Sequence, residues 1–130
     1  MSPRGAVLNQ EQCERFAKDS EQYGIICGHY EGIDERIFDL FDIREVSIGD
    51  YVLSSGELAA LVYIDSMIRL IPGVLTEESL EEESFSKNLD GKKEYPQYSR
   101  PEIFEELAVP KILLSGDTKK IKEWKKQHVR

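Results

Sequence analysis

Residues 58–71 read LAALVYIDSMIRLI, a helix-length stretch that is apolar on nearly every side. An ordinary surface helix carries an apolar stripe on one face and polar residues on the other. A helix without a polar face has to be covered on more than one side, by the rest of its own fold or by a second subunit. Its polar residues, Asp65 and Arg69, stand four apart with the acid first, the favourable order for a helical ion pair. Pro72-Gly73 ends the helix, which is expected over 55–71. Asp65, Arg69, Pro72 and Gly73 interrupt the apolar run, which argues against a membrane span.

The segments around this helix alternate. Asn9 to Glu21 has an N-cap in Asn9, a Gln three residues on, and a stripe of Leu8, Cys13, Phe16 and Ala17, so a helix is expected there. Tyr23 to Cys27 (YGIIC) and Val46 to Ile48 have the composition of short buried strands, as does Val109 to Ser115 (VPKILLS). Short helices are expected over 35–41 and, with a basic amphipathic pattern, over 118–129. Strand–helix alternation in a chain of 130 residues predicts one α/β domain with a mainly parallel sheet. Three strands are few for such a sheet, and the turn Ser2-Pro3-Arg4-Gly5 has no element before it. The expectation is a sheet incomplete at the N-terminus. Residues 76–98 have no usable periodicity, Glu-rich at first (TEESLEEES) and turn-rich later, and read as a long mobile acidic loop.

Charge is unevenly spread. The chain carries a net charge of −8, yet from Lys111 onward there are seven basic and two acidic residues, leaving −13 on the rest. A basic end on an acidic chain is compatible with a nucleic-acid partner that the average would exclude. Cys13 and Cys27 form neither a CxxC pair nor a disulfide framework and are expected as free thiols in a reducing cytoplasm. His29 and His128 have no ligand-spaced partners, so no metal site is expected. The N-terminus has no signal-peptide pattern.

Two glycine-bearing loops follow strand ends, where open α/β folds bind ligands. One is CGHYEGIDER (27–36), the other SIGDYVLSSGE (47–57). Together they form either a backbone-lined slot or a pair of plain turns, the second capping the helix after it through Ser54 or Ser55. Without a Lys and a GxxxxGK[ST] pattern, such a slot suits a neutral or zwitterionic ligand better than a triphosphate.

In order and spacing, SPRG, CGHYEGIDER, SIGDYVLSSGE, IDSMIRLIPGVL, the acidic loop closing in Ser84-Phe85, PQYSRP and VPKILLSG resemble the bacterial tRNA (guanine-N1)-methyltransferase family TrmD, of the SPOUT superfamily. The resemblance runs from Ser2 to about Trp124. It implies a trefoil-knotted fold that holds S-adenosylmethionine, and a homodimer with the active site between subunits. The cofactor-facing positions it implies are Ser2, Pro3, Gly5, Gly28, Tyr30, Glu31, Ile48, Gly49, Asp50, Tyr51, Val52, Leu53 and Gly56. The implied reaction moves a methyl group to N1 of the guanosine 3′ of the tRNA anticodon, with Arg69 steadying the guanine and a carboxylate taking its proton. Where the family has Asp, this chain has Glu83. It also has His29 where the family has Arg, Ser55 where the family has Gly, and Asp117-Thr118 after Ser115-Gly116. On this resemblance residues 1–116 are a partial methyltransferase core and 117–130 the start of a linker helix, both in a cytoplasmic enzyme. The alternative is a shortened, inactive remnant that only binds cofactor or dimerises.

Overall fold

The computed structural model describes residues 1–19 and 22–130, and the chain divides into two compact units, Met1–Leu75 and Thr76–Arg130. In the first unit β1 (Ala6–Val7) and β2 (Val46–Ser47) form a two-stranded parallel sheet, Ala6 opposite Val46 and Val7 opposite Ser47. Main-chain bonds extend the ladder at both ends, from Ser2 N to Val46 O at 3.0 Å and from Leu8 N to Ser47 O at 2.9 Å. The ladder is so close at Gly5 that a Cβ there would lie 2.3 Å from the Glu45 carbonyl carbon. Only glycine lets the two backbones meet at that point.

α1 (Gln10–Lys18) starts as its sequence requires. Asn9 Oδ1 accepts from Gln12 N and the Gln12 side chain accepts from Asn9 N, both at 2.9 Å, which completes a capping box. The sequence pattern runs to Glu21, whereas the helix ends at Lys18, with Asp19 as an extended cap; residues 20 and 21 lie outside the described residues. α1 packs on α3 (Glu57–Ile68), where Cys13 and Phe16 meet Ala59, Ala60 and Tyr63, all buried, with the Phe16 and Tyr63 rings 6.1 Å apart. The two alanines let the helices approach, and the aromatic pair fills the space they leave. On the opposite face of α3, Leu58 and Leu61 are 58% and 61% exposed.

Two expected strands are not strands. Tyr23–Cys27 joins no ladder, and the Ile26 carbonyl instead accepts from the N-terminal amine at 2.8 Å. An apolar run signals burial, whereas a strand also needs a partner in register. Residues 109–115 form a 3₁₀ turn over Lys111–Leu114, opened by Pro110, whose carbonyl accepts from Leu113 N at 2.9 Å. Proline has no N–H to give a ladder and its fixed φ suits a turn start. Among the described residues the parallel sheet thus has two strands, in a mixed α/β architecture. Between β1 and β2 the chain forms α1 and then a short helix, α2 (Ile37–Leu40), within the expected 35–41.

In the second unit, the stretch expected as a loop carries α4 (Glu77–Glu81) and a 3₁₀ turn at Lys87–Leu89. An antiparallel hairpin, β3 (Ile103–Phe104) and β4 (Leu107–Ala108), has no counterpart among the sequence expectations. Its tip residues Glu105 and Glu106 both take left-handed backbone angles, φ 46° and 67°, which Asn-Gly would normally announce. α5 (Thr118–His128) matches its expectation and is capped by Asp117, which accepts from Lys119 N and Lys120 N. Trp124 stacks on His128 with centroids 4.0 Å apart.

Gly5→Ala tests the ladder. The added Cβ overlaps main chain that has no room to move, so the variant should lose about 3 kcal/mol, the upper end of overpacking costs. Urea unfolding of wild type and variant reads this directly, and a loss below about 0.5 kcal/mol would mean the strands separate freely here.

Candidate functional site

The first unit encloses a cavity of about 560 Å³. Its walls come from the turn Met1–Arg4, the loops through 26–38 and 43–49, and the segment 51–56 leading into Ala59 of α3. The β1–β2 ladder brings the first of these against the third, because Ser2 N bonds Val46 O. Of the cofactor positions implied by resemblance, Ser2, Pro3, Gly28, Tyr30, Glu31, Ile48, Gly49, Tyr51, Val52, Leu53 and Gly56 line this cavity. Gly5 and Asp50 do not. Gly5 instead sits in the strand contact behind it. Arg69 caps the C-terminus of α3 with its N–H toward Asp65 O, and it is not among the lining residues. Glu83 belongs to the second unit.

One wall is charged. Arg4 places its guanidinium between two carboxylates, Glu35 at 3.2 Å from both terminal nitrogens and Glu45 at 3.1 Å. Glu35, then Glu45, raises the Arg4 pKa above its ordinary value. The fork ties the N-terminal turn to the loop before α2 and to the residue before β2, so three sequence-distant segments form one wall. Nothing in the sequence singles these residues out. They are separated by 31 and 41 positions, and no local spacing rule reaches that far.

A second wall is built on close approach. A Cβ on Gly56 would lie 3.1 Å from the Cys27 Cα, so the end of the second glycine loop, at the start of α3, touches the beginning of the first. Gly49 takes φ +147°, and the Tyr51 hydroxyl donates to Ile48 O at 3.3 Å, folding that loop on itself. Ser47, buried, holds the same turn through bonds of its hydroxyl with Gly49 O and Gly49 N at 3.0 and 3.1 Å. Just outside the wall, His29 Nε2 and Glu57 Oε1 are 2.6 Å apart. A hydrogen bond from Ser55, then that of His29, lowers the Glu57 carboxyl to about 2. Sequence spacing tests the histidine only as a metal ligand and gives no sign of this pair.

The lining mixes aliphatic side chains (Ile33, Ile37, Ile48, Leu53) with loop backbone and the carboxylates Glu31, Glu35 and Glu45, and it contains no Lys. Small-molecule sites run from about 300 to 1,000 Å³ and are mostly apolar with a few placed polar groups. A lining with three carboxylates and no Lys suits a neutral or zwitterionic ligand better than a polyphosphate.

In the second unit, Glu82 joins three elements. Its Oε2 accepts from the Tyr95 hydroxyl and from Lys125 Nζ, each at 2.7 Å, and the Lys125 ammonium lies 4.5 Å from the Tyr95 ring centroid. Lys125, then Tyr95, holds the Glu82 carboxyl below its ordinary pKa. Ser84 accepts from Glu94 N at 3.0 Å and Phe85 N donates to Lys92 O at 2.7 Å, so the stretch carrying Glu83 is fastened on both sides.

Comparison with known proteins matches all of residues 1–130 to the family described as tRNA (Guanine-1)-methyltransferase TrmD. A Clostridioides difficile (strain 630) protein named tRNA (guanine-N(1)-)-methyltransferase is 56% identical over 128 residues, 98% of this chain and 54% of that protein. A protein of the same name from Caldicellulosiruptor saccharolyticus is 53% identical over 126 residues, 97% of this chain and 50% of the other. One from Mycoplasma mobile is 50% identical over 127 residues, 98% and 63% of the two chains. The chain spans about half the length of the curated relatives it matches.

The Glu57 carboxylate gives the site an acid-side signature. Its folded pKa is depressed, so its contribution to stability is complete above the ordinary carboxylate pKa and is lost as pH falls toward about 2. A carbon-13 NMR titration should show Glu57 still ionised at about pH 3, between the depressed and the ordinary carboxylate values. Ser55→Ala should move its midpoint up toward the usual carboxylate range; an unmoved midpoint would remove the hydroxyl as the cause.

Proposed function

The chain belongs to the tRNA (guanine-1)-methyltransferase TrmD family, and from that premise we propose that its first unit binds S-adenosylmethionine for methyl transfer to tRNA. The observation that carries the proposal is the cavity. Eleven of the thirteen positions that the family pattern assigns to the cofactor line it, though they come from three separated stretches of chain. The loop Ile48–Leu53 would hold the adenine through its backbone, and Gly28 and Gly56 would admit close approach. Glu31 would lie toward the cationic end of the ligand, where a carboxylate is favourable.

When bound, the cofactor supplies an electrophilic methyl group on a sulfonium. The acceptor on this reading is N1 of the guanosine 3′ of the tRNA anticodon. That nitrogen carries a proton which has to leave as the N–C bond forms, and Glu83 would accept it. Arg69 would steady the negative charge that grows on the guanine ring as its proton departs. Glu82, bonded to Lys125 and Tyr95, anchors the residue beside that base. The basic helix α5 would meet tRNA phosphates.

The exposed apolar residues of α3 support a homodimer with the active site shared between subunits. A SPOUT-type trefoil knot and a cytoplasmic site of action are part of the same proposal. No described helix is long and apolar enough to cross a membrane.

Calorimetric titration of S-adenosylmethionine into the purified chain should give saturable binding, one molecule per subunit. A folded chain that binds none would defeat the proposal. Glu83→Gln should lower methyl transfer to tRNA by about 10²–10⁴, the usual worth of a general base. Cofactor affinity should stay within about two-fold, because the residue is assigned to the proton and not to binding. Transfer at the wild-type rate would show that Glu83 is not the base.

A further inference from the structure

The two glycine loops of the cavity diverge from one point. At Gly56 and Cys27 they touch. Beyond that contact the first loop continues through Gly28 and Tyr30, the second arrives through Ser54 and Ser55, and both line the cavity. The distance between them past the contact decides how wide the cavity stands. One polar link spans it, the 2.6 Å contact of His29 Nε2 with Glu57 Oε1. His29 lies between two lining residues of the first loop, and Glu57 directly follows the last lining residue of the second.

We propose that His29 is a positioning residue for the cavity, its imidazole hydrogen-bonded to Glu57 across the rim so that loops 28–32 and 48–56 stand at the separation the cofactor needs. The inference rests on the cofactor reading above and adds to it a residue that sets affinity without touching the ligand.

Glu57 is well placed for this role. It lies in the first turn of α3, where a negative charge is stabilised by the helix N-terminus. The Ser55 hydroxyl, in the second loop, favours the charged form of the same carboxylate. The Tyr30 ring stands edge-on to the imidazole at 6.3 Å. Both side chains of the pair are about half exposed, 58% and 52%, which limits the effect to the size of a surface ion pair.

Calorimetry with S-adenosylmethionine on wild type, His29→Ala and His29→Arg tests this. His29→Ala should bind about two- to five-fold more weakly than wild type, the range of an exposed ion pair. His29→Arg, whose guanidinium can donate to the same carboxylate, should keep the wild-type affinity. Equal affinities of wild type and His29→Ala would overturn the proposal. Should wild type bind no cofactor at all, the cofactor reading of the cavity fails, and amide hydrogen exchange then tests the clasp separately. Faster exchange over 28–32 and 49–56 in His29→Ala would uphold the link between the loops, and unchanged exchange would dismiss it.

Discussion

The first unit depends on a backbone contact in which side chains take little part. Gly5 lies against the main chain of Glu45 and Val46 at a distance no Cβ allows, and the parallel ladder of β1 and β2 runs through that point. With the strands paired, the turn Ser2–Gly5 is carried to the start of β2, where Arg4 reaches both Glu35 and Glu45. The same ladder launches α1 from Asn9, since Leu8 N is tied to Ser47 O just before the cap. Cavity wall and helical core thus share one origin. Opening the ladder would detach the N-terminal wall and the α1–α3 contact together.

Polar groups in the second unit are arranged on the opposite plan, with one side chain gathering several elements. Glu82 takes a hydrogen bond from Tyr95 and an ion pair from Lys125 on α5, while the Lys125 ammonium rests over the Tyr95 ring. Tyr95 is 7% exposed, so its hydroxyl needs the partner that the carboxylate provides. An acidic stretch that composition presents as solvated surface is here partly a scaffold. Of two adjacent glutamates, Glu82 is committed to structure.

Much of the helical structure is legible from local rules. Asn9 with Gln12 is an end signal whose partners lie three residues apart, and the structure contains those bonds. Strands are harder to read because their signal is only half local. YGIIC has the composition of a buried strand but joins no ladder among the described residues, while VPKILLS contains a proline that turns it into a 3₁₀ segment. The hairpin at Ile103–Ala108 gives no sign because its turn uses two glutamates in left-handed conformations. For the candidate site, the ordered blocks around Gly28 and Gly49 bring out many of the residues that line the cavity.

By itself the sequence determined the family, the cap of helix α1, and which loops carry the glycines that a ligand slot requires. These depend on spacing within a few residues, or on the order of blocks along the chain. Tertiary structure decided the rest: that Gly5 serves the strand contact and not the cavity wall, that Arg4 is forked between two distant carboxylates, and that His29 faces Glu57. The side-chain pairs among these are separated by 28 to 41 positions, and their meeting follows from strand pairing and helix packing. A side chain's chemistry is written locally, but the partner that gives it a role is supplied by the fold.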